Sequence, residues 1–177
     1  MGAEEALAPS EVDNVAVSQA YALARSALAD DIPGVAVKKL SKLHESGQLD
    51  DANTLLYVEA LIRDGRAHDA LDLFESENNL QSGYWKAAAL AGCGRFEEAV
   101  VEFKAVIDEG GEAPHWEEAC LSGASLMLST QLKEEARVVL ERLHSEGAEQ
   151  FARRASLRLA EILLSEEDYR GALKKLG

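Results

Sequence analysis

The residues best suited to chemistry in this 177-residue chain are four histidines, two cysteines and a series of paired carboxylates. The histidines are His44, His68, His115 and His144. No two of them stand one helical turn apart, and none lies beside a cysteine at metal-ligand spacing. Cys93 and Cys120 cannot complete a structural zinc site, which takes four ligands. Two thiols also make no disulfide framework, so both are read as small buried apolar residues, with a bond between them left open. Gly92-Cys93-Gly94 has the outline of a phosphate turn but lacks a preceding strand. Gly123-Ala124-Ser125 lacks the second glycine and the strand of a nucleophile elbow. Glu97-Glu98, Glu117-Glu118, Glu134-Glu135 and Glu166-Glu167 recur near expected helix starts. Paired carboxylates can do acid–base work. In the first turn of a helix they instead complement its dipole, by about 0.3–1 kcal/mol each, and that reading is preferred. The expectation is therefore a protein that is not an enzyme, with no catalytic residue, no cofactor and no metal.

Charge narrows the partners. The net charge is −14, from 32 acids against 18 bases. A nucleic-acid binder should carry a basic footprint, and an anionic membrane surface would repel this chain. Membrane insertion is not expected either, because no stretch approaches the roughly 18 apolar residues of a span. The stretch Ala119 to Leu132 is free of charge for 14 residues but contains Ser122, Ser125, Ser129, Thr130 and Gln131. Met1-Gly2-Ala3-Glu4-Glu5 has no basic or apolar region of a signal peptide. The compartment stays open between cytoplasm and, for a chain stripped of its signal, periplasm. Residues 96–135 hold ten acids against Lys104 and Lys133, a candidate dock for a basic segment. A basic group follows in Arg137, Arg142, Arg153, Arg154 and Arg158.

The elements that must position these residues are helical. Apolar residues recur at three- and four-residue spacing almost throughout, and strand-like alternation is absent. The spacing predicts ten helices near 11–29, 33–46, 50–63, 66–77, 80–92, 95–108, 114–129, 132–145, 148–164 and 167–176. Glycines such as Gly47, Gly65, Gly94 and Gly147 stand where helices should stop, and Pro33 and Pro114 stand where they should start. An acidic leader over 1–13 is expected to fray, leaving one domain over 14–177. One segment repeats: Ala36/Leu40, Ala70/Phe74, Ala99/Phe103, Ala136/Leu140 and Ala172/Leu176, with the alanines spaced 34, 29, 37 and 36 residues apart. Each alanine falls near the start of the second helix of a pair, where a small residue permits close approach and the larger one fills the space a turn later.

This pattern resembles the tetratricopeptide repeat family, a 34-residue helix–turn–helix unit. Asp64-Gly65-Arg66-Ala67-His68-Asp69-Ala70-Leu71-Asp72-Leu73-Phe74 carries the best match, followed by Gly94-Arg95-Phe96-Glu97-Glu98-Ala99-Val100-Val101-Glu102-Phe103. The family's small position in the first helix falls on Ala24, Val58, Ala87, Ala124 and Ala160. Its large position falls on Ala27, Leu61, Leu90, Met127 and Leu163. The family's early aromatic is replaced by Ala20, Thr54, Gly83, Cys120 and Ser156, and its late proline is missing. The resemblance implies an all-α, right-handed α-solenoid of about five helix pairs over roughly 17–177. The second helix of the last pair stops after about ten residues with Leu173 and Leu176 at helical spacing, so more chain or a partner is expected over that face.

The resemblance also implies a function: a non-enzymatic scaffold or adaptor that holds a protein or peptide in a groove lined by the first helices. Carried residue by residue, the family's groove positions include Ala88, Ala91, Ser125, Leu128, Leu157 and Glu161, and the groove candidates singled out are Tyr21, Arg25, Leu55, Glu59, Ile62, Gln81, Tyr84, Leu121 and Arg154. The family's carboxylate clamp of Lys and Asn is absent, since Tyr21, Arg25, Leu56, Gln81 and Trp85 stand at those positions. The alternative is a cell-envelope assembly or secretion accessory factor that has lost its signal or anchor. Homo-oligomerisation is left open.

Overall fold

The computed structural model describes residues 11–76 and 82–176, and among them all regular structure is helical. In order these are α1 (Glu11–Ala29), α2 (Pro33–Glu45), α3 (Asp51–Arg63), α4 (Ala67–Ser76), α5 (Gly83–Gly92), α6 (Phe96–Glu109), α7 (Trp116–Ser129), α8 (Lys133–Glu146), α9 (Glu149–Ser165) and α10 (Tyr169–Leu176). The ten expected helices are present, with ends displaced by three residues at most. Two start late for a visible reason. His115 and Glu167 occupy the left-handed region, with φ of 60° and 63°, so α7 and α10 begin only after them. Most of the expected leader lies outside the described residues.

The chain divides into two compact units, one carrying α1–α4 and the other α5–α10. In the first, α1 packs on α2, α2 on α3 and α3 on α4, and α1 also touches α3. In the second, each helix packs on the next, and α7 also touches α9. The units are therefore stacks of two and three antiparallel pairs, in which α1 meets α3 and α7 meets α9.

Every pair turns the same way. The turn residues Asp31, Gly65, Gly94, Gln131 and Glu167 are all left-handed, with φ of 57°, 78°, 76°, 64° and 63°. Each donates its N–H to a carbonyl three residues back, and the next residue donates to one five back, as in Gly94 to Ala91 (3.0 Å) and Arg95 to Leu90 (2.9 Å). These two hydrogen bonds satisfy carbonyls that a helix end leaves orphaned. Five residues after each left-handed turn stands the repeat alanine: Ala36, Ala70, Ala99 and Ala136 are fully buried, and Ala172 nearly so. The small position facing it is as deeply buried, at Ala24, Val58, Ala87, Ala124 and Ala160. Beyond it Leu40, Phe103 and Leu140 fill the core, Phe74 is half-buried, and Leu176 is exposed. Each large side chain fully buried there contributes about 1.5–3 kcal/mol.

The missing aromatic has a packing explanation. Thr54 and Cys120, two of its replacements, are buried, and the Thr54 hydroxyl donates to Asp50 O at 3.0 Å. At Gly83 a Cβ would stand 2.8 Å from Val106 Cγ2 of α6. The small residues bring the first helix closer to its neighbours than a ring would allow. Gly123 does the same between pairs, where a Cβ would come within 3.1 Å of Phe103 Cβ.

Two stability outcomes follow from this register. Ala70→Leu and Ala99→Leu should each lose about 1–3 kcal/mol by overpacking, measured by chemical denaturation. Gln131→Gly should gain about 0.5–1 kcal/mol, because glycine carries no Cβ penalty at a positive φ. A destabilised Gln131→Gly variant would contradict the turn geometry.

Candidate functional site

The groove candidates of the first unit are largely engaged in holding the fold. The Tyr21 hydroxyl donates to Gln48 O at 2.6 Å, tying α1 to the α2–α3 connection. Burial, and then Asp50, push its phenol above the ordinary range. Arg25 donates to Asn53 Oδ1 at 3.2 Å, and Asn53 in turn donates to Asp50 Oδ1 at 2.8 Å through its side chain. Asp50 also caps α3 by accepting from the Asn53 backbone N–H at 2.8 Å. Glu59 pairs with Arg63 at 3.2 Å, and Arg63 reaches Asp31 at 2.9 Å. Leu55 and Ile62 are half-buried.

In the second unit the face formed by α5, α7 and α9 carries three clefts. The first, of about 390 Å³, is lined by Ala88, Ala91, Phe103 and Leu126 together with Ser122, Ser125 and Ser129. The second, of about 380 Å³, shares Ser122 and Ser125 and adds Leu121, Arg154, Leu157, Arg158 and Glu161. The third, of about 500 Å³, shares Glu161 and adds Leu128, Gln131, Lys133, Ile162 and Ser165. Shared lining makes them one continuous groove. Leu121 and Arg154 of the expected set line it, whereas Gln81 lies outside the described residues. Tyr84 is half-buried beside the start of α7, its ring stacked on His115 at 4.9 Å and edge-on to Trp85 at 4.8 Å. Its ring is thus part of an aromatic cluster that also supports the α6–α7 connection.

Several groove residues were outside the expected set. Ser122, Arg158 and Ile162 lie one position off the family's groove register, and only the stacking of α7 against α9 brings them in. Trp116 and Arg142 were also missed as organisers. Both donate to Ile107 O, at 3.2 Å and 3.0 Å, and the guanidinium sits 5.4 Å over the indole ring. They close the C-terminal end of α6, where a positive charge also meets the helix dipole favourably.

The chemistry-bearing residues do not converge. Among the described residues no three or more His, Cys, Asp or Glu side chains gather to hold a metal ion. His44 lies against Tyr57, His115 against Tyr84, and His144 Nδ1 faces the Ser156 hydroxyl at 2.9 Å. Glu97-Glu98, Glu117-Glu118 and Glu134-Glu135 stand in first turns as expected, whereas Glu166 caps the C-terminal end of α9 and Glu167 is the left-handed residue before α10, so that pair lies outside any first turn. Arg95 holds Glu98 at 2.6 Å and lowers its pKa, and Lys133 and Arg137 together do the same to Glu166 at 2.7 and 2.6 Å. Such carboxylates favour the folded state above their unfolded pKa, and the effect disappears as pH falls through the folded value. Within the acidic stretch 96–135, Glu102 pairs with Lys86 at 2.6 Å and Glu117 accepts from the Ala148 N–H. No helix of the described residues is long and apolar enough to cross a membrane.

With a left-handed turn and a buried alanine at fixed register in all five pairs, the repeat is structural as well as sequential. The helix pairs are tetratricopeptide-like. No family model matches this chain, and no curated protein does. Among solved structures the chain is similar to one described as "Crystal Structure of P58(IPK) TPR Domain at 2.5 A", at 16% identity and a TM-score of 0.44. That match covers 96% of this chain and 59% of the other, so this chain spans less than two thirds of its length.

The two thiols should differ sharply in reactivity. Cys120 is fully buried, and burial pushes its thiol up to about 12. Cys93 is half-exposed. The thiolate is the reactive species, so alkylation of the native chain at pH 8 should label Cys93 and spare Cys120. Peptide mapping should find both labelled only after denaturation.

Proposed function

We propose that this chain is a non-enzymatic protein-interaction module that holds a segment of a partner protein along the α5/α7/α9 face. The observation that carries this reading is the continuous groove of three clefts on first helices of successive pairs. Its chemistry suits a peptide. Small and apolar side chains (Ala88, Ala91, Leu126, Leu128) offer surface for apolar anchors, and hydroxyls and charges offer orientation. The clefts are open and lined from rigid helices, so a bound segment would lie along them with little rearrangement of the module.

The dock on the acidic stretch 96–135 is the competing reading, and part of that stretch is already paired or capping. Salt separates the two, because exposed charges are screened over about 8 Å at physiological ionic strength. A partner captured by the full chain should keep most of its affinity at high salt and lose at least about tenfold on Ser125→Tyr, which fills the groove. It should be indifferent to charge reversal at Glu97 and Glu98. Salt-sensitive binding lost only on that charge reversal would move the site to the acidic stretch.

A further inference from the structure

The middle cleft contains five polar side chains, and most are already committed. Ser125 donates to Leu121 O of its own helix at 2.8 Å. Arg158 and Glu161 pair with each other at 2.8 Å. Two groups remain. The Ser122 hydroxyl is exposed and hydrogen-bonds to none of the described residues. Arg154 is exposed and has no carboxylate within ion-pair distance among them; its guanidinium lies only near the Phe151 ring, at 6.0 Å. Neighbouring Arg153, by contrast, pairs with Glu149. Glu118, one turn before Ser122 on α7, does not reach Arg154.

The free groups of this cleft are thus a guanidinium and a hydroxyl donor on facing helices. A planar guanidinium matches a carboxylate through two parallel hydrogen bonds. Apolar surface lies on both sides: Ala88, Ala91 and Phe103 toward α5, and Leu128 and Ile162 at the far end. A chain terminus would occupy one side only. A segment that continues in both directions uses all three clefts.

Resting on the groove reading above, we propose that the middle cleft takes the side-chain carboxylate of an internal Asp or Glu in a partner segment. Arg154 and Ser122 donate to that carboxylate, and apolar side chains of the same segment enter the clefts on either side.

The test is selection of a displayed random linear peptide library on the full chain, followed by affinity measurement of the enriched peptides. Arg154 is exposed and pairs with no carboxylate among the described residues, so Arg154→Gln should fold as the wild type does, checked by circular dichroism and melting. The expected result is peptides with an acid between two apolar residues. Their affinity should fall about tenfold on Arg154→Gln, less on Ser122→Ala, and drop out on Ser125→Tyr. Changing the peptide acid to Lys should shift preference to Arg154→Glu. Peptides lost on Ser125→Tyr but indifferent to Arg154→Gln would overturn the carboxylate assignment and leave the groove reading standing. So would loss of binding on C-terminal amidation, or tighter binding of a phosphoserine at the acidic position. No enrichment, or peptides that bind Ser125→Tyr as well as wild type, would overturn the groove reading and this inference with it.

Discussion

Close approach of two helices at a buried alanine organises each pair. The alanine lies five residues beyond a left-handed turn, and that distance is the same in all five pairs. The turn fixes where the second helix starts, and the alanine fixes how near it comes. Together they select which face of the first helix is covered. Ala87 and Leu90 of α5 are buried, and so are Ala124 and Met127 of α7. One residue further round, Ala88, Ala91, Ser125 and Leu128 are turned outward, because a 3.6-residue period moves the neighbouring position by about 100°. Those outward residues line the clefts. The groove is the uncovered side of helices whose other side the alanines have claimed.

The α6–α7 connection departs from this rule, and the departure shapes one end of the groove. Within the second unit it is the longer link between pairs, six residues against two between α8 and α9, and α6 stops at Gly110 without the pair of hydrogen bonds that closes the turns within pairs. Trp116 and Arg142 supply the closure from outside, both donating to Ile107 O. Arg142 comes from α8, so closing α6 also ties the third and fourth pairs together. His115, held left-handed just before α7, places its ring on Tyr84 of α5. A loop without regular structure is thereby fixed at its two ends by aromatic and cationic contacts rather than by backbone pairing.

Helix positions and repeat register were legible in the sequence because both depend on local signals. Gly65 and Gly94 mark their turns openly. Asp31, Gln131 and Glu167 occupy the same geometry without glycine, and only the alanine spacing points to them. Site residues were legible to the level of a helix face and no further. Tyr21 and Arg25 stand on an outward face of α1, as the register implies. That Gln48 and Asn53 already engage them depends on residues 27 and 28 positions away. No local pattern encodes such partners. Ser122 and Arg158 show the converse: off the family's groove positions, they enter the groove because α7 and α9 meet at their own angle.

That a chain of net charge −14 should hold an acidic segment, as proposed, looks contradictory, yet distance resolves it. Repulsion from the whole molecule acts through solvent and fades beyond about 8 Å at physiological salt. A guanidinium in contact with a carboxylate acts within hydrogen-bonding distance and is screened far less. What governs the cleft is therefore the balance of uncommitted groups inside it rather than the total charge outside. Glu161 is neutralised by Arg158, and Lys133 is spent on Glu166. Arg137 shares Glu166 and also reaches Glu134 at 3.7 Å, so the other charges lining the groove are paired and Arg154 is its open charge among the described residues. In the proposed mode the acidic surface would act at longer range, slowing non-specific approach of other acidic chains, while recognition would rest on a segment whose apolar flanks fit beside its carboxylate.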